Sequence, residues 1–262
     1  MPNLRAILAL MLPVLSIIEG GGAASAAATL APTGTLRVGV VRAPQAGVFF
    51  VAVDAAGTAR GVTVDLGAAL GAELGVPVFD TVFPNSGECT EAVATGRVDV
   101  AFMPVDPTRS ARVAFGPGYY DIESTYLVTA ASGIATLADI DRPGLRIVGI
   151  ADTTTIRASA RSLHHIQPLP IRGVEEAIAM LRDGQADALA LSRDSLAQVA
   201  PTIPGSHIVD GGFQRTSVAI AVPPGNPAAL ATASAFLDRA KRDGTVRRAL
   251  DDLGLPHEPV AP

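Results

Sequence analysis

Residues 95–120 read TGRVDVAFMPVDPTRSARVAFGPGYY, and both the fold and the candidate site turn on them. Thr95-Gly96 closes a helix, Val98 to Phe102 is a short apolar run of the kind buried in a sheet, and Pro104 breaks it. Asp106-Pro107-Thr108-Arg109 then opens a new helix. Asp is a favoured N-cap, and Pro suits the first helical position because the N–H it lacks would have no helical partner there. Free N–H groups and the positive end of the helix dipole favour an anion at such a point. Arg109 adds a planar fork of donors that fits a carboxylate in two places. A strand end, a helix start and an Arg in its first turn together predict a carboxylate-binding corner.

On either side of this stretch, strands and helices alternate. Leu36 to Val41, Phe49 to Val53, Val76 to Phe83 and Val98 to Phe102 read as strands, and Glu88 to Thr95 as a helix. Thr63 to Leu74 is a helix whose Leu66, Leu70 and Leu74 fall on one face. Beyond Glu123 the alternation resumes. Strands are predicted at Ser124–Thr129, Arg146–Ile150, Ala186–Leu191, His207–Asp210 and Ser217–Val222. Helices are predicted at Thr154–Leu163, Val174–Arg182, Asp194–Ala200, Pro227–Asp243 and Val246–Leu253. Such order implies an α/β fold with mainly parallel sheets flanked by helices. No linker separates two independent domains, so the two halves are expected to share crossing strands.

Bulk properties exclude several classes. With 48% hydrophobic and 17% charged residues over 262 positions, the chain is globular and long enough for two cores. A formal charge of −5 without a basic block argues against a nucleic-acid partner. Arg5, the apolar run Ala6 to Ile18 and the small residues Ala24-Ser25-Ala26 have the form of a cleavable export signal. The apolar run is short against the roughly 20 residues of a membrane helix. Residues 1–26 are therefore expected to be removed, residues 27–33 to be a flexible mature N-terminus, and the mature chain to be periplasmic with no membrane insertion. Cys89 is the single cysteine, which forbids an internal disulfide and points to a packing role. His164 and His165 are adjacent, so on a helix they face different ways and do not pair on a metal. There is no Gly-rich phosphate loop, no Cys/His zinc spacing and no GxSxG elbow, so neither a cofactor nor a metal is expected.

A set of phrases resembles the type 2 periplasmic solute-binding proteins of ABC importers, extracellular solute-binding protein family 3, polar amino acid type. They are GTLRVG (34–39), GVTVDL (61–66), GRVD (96–99), PTR (107–109), FGPGYY (115–120), VG (148–149) with TTT (153–155), GQADA (184–188) and RDGT (242–245). The resemblance implies two α/β lobes joined by two hinge strands, with a ligand in the cleft between them. Lobe one would be residues 34–122 plus 215–262, and lobe two residues 123–214. Open α/β sheets bind ligands beyond their strand C-termini, where these motifs fall.

The resemblance also implies site roles. Arg109 matches the Arg that clamps the ligand carboxylate, and Thr154 and Thr155 match the contacts from lobe two. Asn85 and Ser86, in the loop Pro84 to Gly87, are candidates for polar contacts, and Phe50 matches an aromatic near the pocket. Ser192 stands where amino-acid binders commonly carry an Asp for the ammonium group. Asp106 or Asp194 could substitute; otherwise the solute is an organic acid or another anion. The partners implied are a small anionic or zwitterionic solute and an ABC permease, with the protein acting as a monomer. No catalysis is expected of a binder. The same fold also serves an exported dehydratase of a cyclohexadienyl carboxylate, for which Glu175 and Glu176 would be the nearest acids; a soluble sensor docking on a receptor is a third class.

Overall fold

Residues 20–42, 51–53, 57–256 and 258–262 are described by the structure, a computed structural model. Phe50 and residues 1–19 of the expected signal segment lie outside them. The elements in chain order begin with α1 (Gly20–Leu30), β1 (Leu36–Val41), β2 (Ala52–Val53), β3 (Ala59–Arg60), α2 (Val62–Leu74), β4 (Val78–Phe83) and α3 (Ser86–Ala94). Then come β5 (Val100–Pro104), α4 (Pro107–Ser110), β6 (Ala114–Val128), β7 (Ile147–Ile150), α5 (Thr154–Ser162) and β8 (Leu169–Ile171). The chain ends with α6 (Val174–Arg182), β9 (Ala188–Ser192), α7 (Arg193–Val199), β10 (His207–Ile208), β11 (Gln214–Val222), α8 (Pro227–Arg242) and α9 (Thr245–Asp252).

One nine-stranded sheet runs through the molecule in the order β4-β1-β5-β11-β6-β9-β7-β8, with β10 beside β6. β1 pairs in parallel with β4 and β5, and β7 pairs in parallel with β8 and β9. Between these two parallel sets lie β11 and the 15-residue β6, antiparallel to each other and to their outer neighbours. Apolar cores divide accordingly. One set joins Leu36, Leu66, Phe102, Ile220 and Phe236 with neighbours such as Cys89 and Met103. The other joins Val148, Leu189 and Leu196 with neighbours such as Tyr126 and Ile147. These two bodies are the lobes referred to below, and β6 and β11 pass between them.

The leucine stripe of α2 is fully engaged: Leu66 and Leu70 are buried completely and Leu74 nearly so. Each such side chain contributes about 1.5–3 kcal/mol of burial. Gly71 lets α2 sit on β4, since a Cβ there would meet Val78 Cγ2 at 2.2 Å. Cys89 packs against Gly39 in the same way, and burial pushes its thiol up to about 12.

Two local features were not foreseen. The segment FGPGYY is extended strand, so β6 begins ten residues before the predicted Ser124. Gly116 and Gly118 fit there because a Cβ on them would meet Ser234 Oγ and Ser217 Oγ at 2.8 and 2.1 Å. Register shifts in β11 opposite them accommodate the irregularity. Residues 27–33, expected to be flexible, are instead tied down: Leu30 and Ala31 are buried in the first core, and α1 packs on α2 and α8. Its alanines and Leu30 cover apolar surface on those helices, which outweighs the low complexity of the segment.

A repeated device starts the inner parallel strand of each lobe. Asp99 accepts from the Arg37 backbone N–H at 2.9 Å and grips its guanidinium at 3.0 and 2.5 Å. Asp187 does the same to Arg146 at 2.8, 3.0 and 2.8 Å. The phrases GRVD and GQAD are thus structural: their Asp locks the Arg at or just before the adjacent strand in a bidentate, charge-assisted pair.

Candidate functional site

At Asp106–Arg109, where the sequence predicts a carboxylate corner, the capped helix start forms, but the groups divide their work differently. Asp106 is the N-cap, extended at φ −151°, and its Oδ1 accepts from the Arg109 N–H at 3.0 Å. α4 that follows is a single turn of four residues. So short a helix sums few peptide dipoles, and its Arg109 N–H is already taken by its own cap. An open, dipole-rich helix start is therefore not what this corner offers.

What it offers is contact across the lobes. Arg109 is buried, and its Nη1 donates to the Pro104 carbonyl at 2.9 Å and to Thr154 Oγ1 at 2.7 Å. Its Nη2 donates to the Asp152 carbonyl at 3.3 Å. Asp106 Oδ2 accepts from Arg157 Nη2 of α5. Thr154, Asp152 and Arg157 all belong to the second lobe, so the Asp106–Arg109 turn ties the two lobes directly. Burial raises the Asp106 carboxyl, but the Arg157 bond, the Arg109 N–H and both guanidinium charges hold it below the usual carboxylate range. Burial, with the neighbouring Arg157 charge, pulls the Arg109 guanidinium down to about 10 against the opposing pull of Asp106.

Backbone geometry supports this junction. Asp152, in the turn between β7 and α5, is the one non-glycine with positive φ among the described residues, at 59°. Asp tolerates that left-handed region better than most residues, and the turn carries the carbonyl that Arg109 grips. Opposite it lies Gly87 in the first turn of α3, where a Cβ would stand 3.2 Å from Asp152 Cβ and 3.1 Å from Asn85 Oδ1. Asn85 caps α3, accepting from the Glu88 N–H at 2.9 Å. The lobes touch closely at this point.

Beside the junction lies a cleft of about 280 Å³ lined from both lobes. The first lobe contributes Val41, Arg42, Pro84, Asn85, Ser86 and Pro104, with Ile122 from β6. The second contributes Ile150, Thr153, Thr154 and Thr155, the run Arg172 to Glu175, and Leu191, Ser192 and Ser195. A second cavity of about 380 Å³ lies on the other face of Arg109, lined by Glu88, Glu91, Arg112, Asp152 and Arg157 among others. Arg109 lines this second cavity and not the first.

Hydroxyls dominate the polar lining of the cleft. Thr153 caps α5, accepting from the Ile156 N–H at 3.2 Å and donating to the Ile150 carbonyl at 2.7 Å. Thr155 Oγ1 and Ser124 Oγ are 3.5 Å apart, and Ser192 donates to Ser195 Oγ at 2.9 Å. Thr154 has a constrained polarity. A guanidinium only donates, so Thr154 Oγ1 accepts from Arg109 and its own proton is free to serve another acceptor.

The structure thus brings Asn85, Ser86, Thr154, Thr155 and Ser192 to one cleft, and sets Arg109 and Asp106 behind Thr154. Asp106 has both oxygens engaged, and neither it nor Asp194 is among the cleft-lining residues. Burial pushes the Asp194 carboxyl up, against a hydrogen bond from Ser192. Phe50 lies outside the described residues. Sequence reasoning missed Arg42, Arg172 and Arg157. Arg157 could have been found three residues after Thr154, one helical turn along α5. His165 pairs with Asp141 on the surface, and the described residues contain no group of acids, Cys and His able to hold a metal.

Comparisons with known proteins agree with this architecture. The family model for bacterial extracellular solute-binding proteins, family 3, matches residues 38–252. No curated protein sequence matches the chain. Among solved structures, the chain is similar to the ancestral amino acid-binding protein AncCDT-1, a precursor of cyclohexadienyl dehydratase. The identity is 25%, the match covers 84% of this chain and 96% of that one, and the TM-score is 0.72. An ancestral arginine-binding protein bound to glutamine is 26% identical, over 84% of this chain and 97% of that chain, with a TM-score of 0.70. The solute receptor for L-cysteine of Neisseria gonorrhoeae shares the fold at 23% identity, over 88% and 94% of the two chains, with a TM-score of 0.75. With a family model spanning most of its length, this chain belongs to the bacterial extracellular solute-binding proteins, family 3.

Proposed function

We propose that this protein is exported to the periplasm, captures a small carboxylate-bearing solute in the interlobe cleft and delivers it to an ABC permease. The observation that carries the proposal is Thr154: it lines the cleft, and Arg109 from the opposite lobe occupies its acceptor side at 2.7 Å. The solute carboxylate accepts from the Thr154 hydroxyl, with Thr155, Ser86, Asn85 and Ser192 completing a ring of neutral polar groups around it. Arg109 acts through Thr154, fixing the direction of its proton and adding a nearby positive charge. The cleft's volume is just below the ~300–1,000 Å³ of pockets for drug-sized ligands, which fits a solute of a few heavy atoms.

Residues 34–122 with 215–262, and residues 123–214, move as two bodies about β6 and β11. Contacts from both bodies exist together only when the cleft is closed, so a ligand that uses both shifts the population towards closure. Thermal unfolding across a panel of organic acids and amino acids tests this. A ligand at ~100 times its dissociation constant stabilises by about 2.7 kcal/mol, and Thr154→Val, binding at least about tenfold more weakly, cuts that gain to about half or less.

One observation favours a second, enzymatic reading: Glu175 puts a carboxyl group in the cleft, and AncCDT-1 is a precursor of a dehydratase. Incubation of the protein with cyclohexadienyl carboxylates decides between them. A binder leaves them unchanged, and a dehydratase consumes them in a Glu175-dependent way.

A further inference from the structure

We infer that the solute is a dianion, a small dicarboxylate or a carboxylate with a second negatively charged group, whose far end is held by Arg42 and Arg172. This rests on the cleft being the solute site proposed above and goes on to name the solute's charge.

Arg42 follows β1 in the first lobe, its backbone N–H tied to the Phe83 carbonyl at 2.8 Å. Arg172 follows β8 in the second lobe, its backbone N–H tied to Glu176 Oε2 at 3.0 Å. Backbone bonds thus anchor both residues, and both residues line the same cleft. Arg37, Arg112, Arg146, Arg157, Arg193, Arg239 and Arg247 each bridge a carboxylate. Among the described residues, Arg42 and Arg172 make no such bridge. The cleft lining therefore includes two exposed arginines, one from each lobe, with Glu175 as its one acidic residue among the described residues. Glu175 Oε2 lies near its own turn, 3.4 Å from where a Cβ on Gly173 would be.

Two like charges carried into one cleft by two closing lobes oppose closure. An anion between them reverses the sign of that interaction, so its charge couples binding to closure. The rest of the lining points the same way. A zwitterionic amino acid would have to desolvate an ammonium group among hydroxyls and aliphatic side chains, with Ser192 and Ser195 where a carboxylate would help it. A dianion finds a neutral hydroxyl donor at one end, backed by Arg109, and two charged donors at the other.

The test is calorimetric titration of the mature protein with succinate and glutarate, with butyrate and valerate as monoanions of matched length, and with glutamine as a zwitterion. Arg42→Gln, Arg172→Gln and Arg161→Gln are titrated alongside; Arg161 lies exposed on α5 outside the cleft and controls for charge alone. The inference expects a dicarboxylate to bind at least about tenfold tighter than its monocarboxylate, the loss typical of one charge-assisted hydrogen bond. It expects that advantage to disappear in either cleft variant, to persist in Arg161→Gln, and to weaken with added salt. Equal binding of mono- and dicarboxylates, a dicarboxylate advantage untouched by both cleft variants, or tighter binding of glutamine overturns the dianion while leaving the cleft as the solute site. If no compound in the series binds the wild-type protein, both inferences fall.

Discussion

Replacing Arg157 with Ala separates what holds the lobes together from what holds each lobe folded. Arg157 bonds the Oδ2 of Asp106, whose side chain is 1% exposed, while the Arg157 side chain itself is 28% exposed. Breaking a fully buried pair costs about 3–5 kcal/mol because a charge is left without a partner. Asp106 keeps the Arg109 N–H at 3.0 Å and the nearby Arg109 charge, and water reaches the Arg157 side, so the cost here is smaller. A charge-assisted hydrogen bond of about 1.5–3 kcal/mol is the better measure. The pair spans the lobes, so that loss falls on the closed state and lowers its population relative to the open one by about 10- to 150-fold. Small-angle scattering without ligand reads the change as a larger radius of gyration in Arg157→Ala. Acid reproduces it. A carboxyl whose folded pKa is depressed stabilises above its unfolded value near 3.9 and loses that contribution as pH falls through the lower folded value, so the wild-type lobes part only below about pH 4. An Arg157→Ala protein with unchanged radius and unchanged solute affinity, but a lower melting temperature, would show that the pair does not hold the lobes together. It would place the pair's contribution inside the second lobe.

Three further outcomes follow from the packing. Gly87→Ala sets a methyl group 3.2 Å from Asp152 Cβ across the lobes and 3.1 Å from the capping Asn85 Oδ1, so calorimetry should find weaker solute binding together with a lower melting temperature. Leu70→Ala opens a cavity under α2 and should cost about 2–5 kcal/mol in denaturant unfolding without altering affinity measured under native conditions. Cys89, buried with its thiol pushed up to about 12, should resist a thiol reagent in the native protein and react at once in denaturant.

How far the sequence revealed this molecule depended on whether the signal was local. The α2 stripe of Leu66, Leu70 and Leu74, the Asp106 cap and the strand–helix order are written in neighbouring residues, and the structure has them. β6 was misjudged at its start because Gly116-Pro117-Gly118 has turn composition; only the side chains of Ser217 and Ser234, about 100 residues on, explain why glycine sits there in a strand. Arg109 was singled out from its place in a helix start, but its partners Thr154 and Asp152 lie 45 and 43 residues away. No local pattern could say that its fork would bridge lobes. Arg42 and Arg172 carry no motif at all, and only the folded cleft brings them together.

In the proposed site, Thr154, oriented by Arg109, receives the solute's carboxylate. Titration of small carboxylates into wild-type, Thr154→Ser and Thr154→Val proteins measures it most directly, because Ser keeps the hydroxyl and Val keeps the shape. Binding should be retained in Thr154→Ser and weakened in Thr154→Val by at least about tenfold, the worth of one hydrogen bond to a charged group. Equal affinity in all three proteins would contradict it.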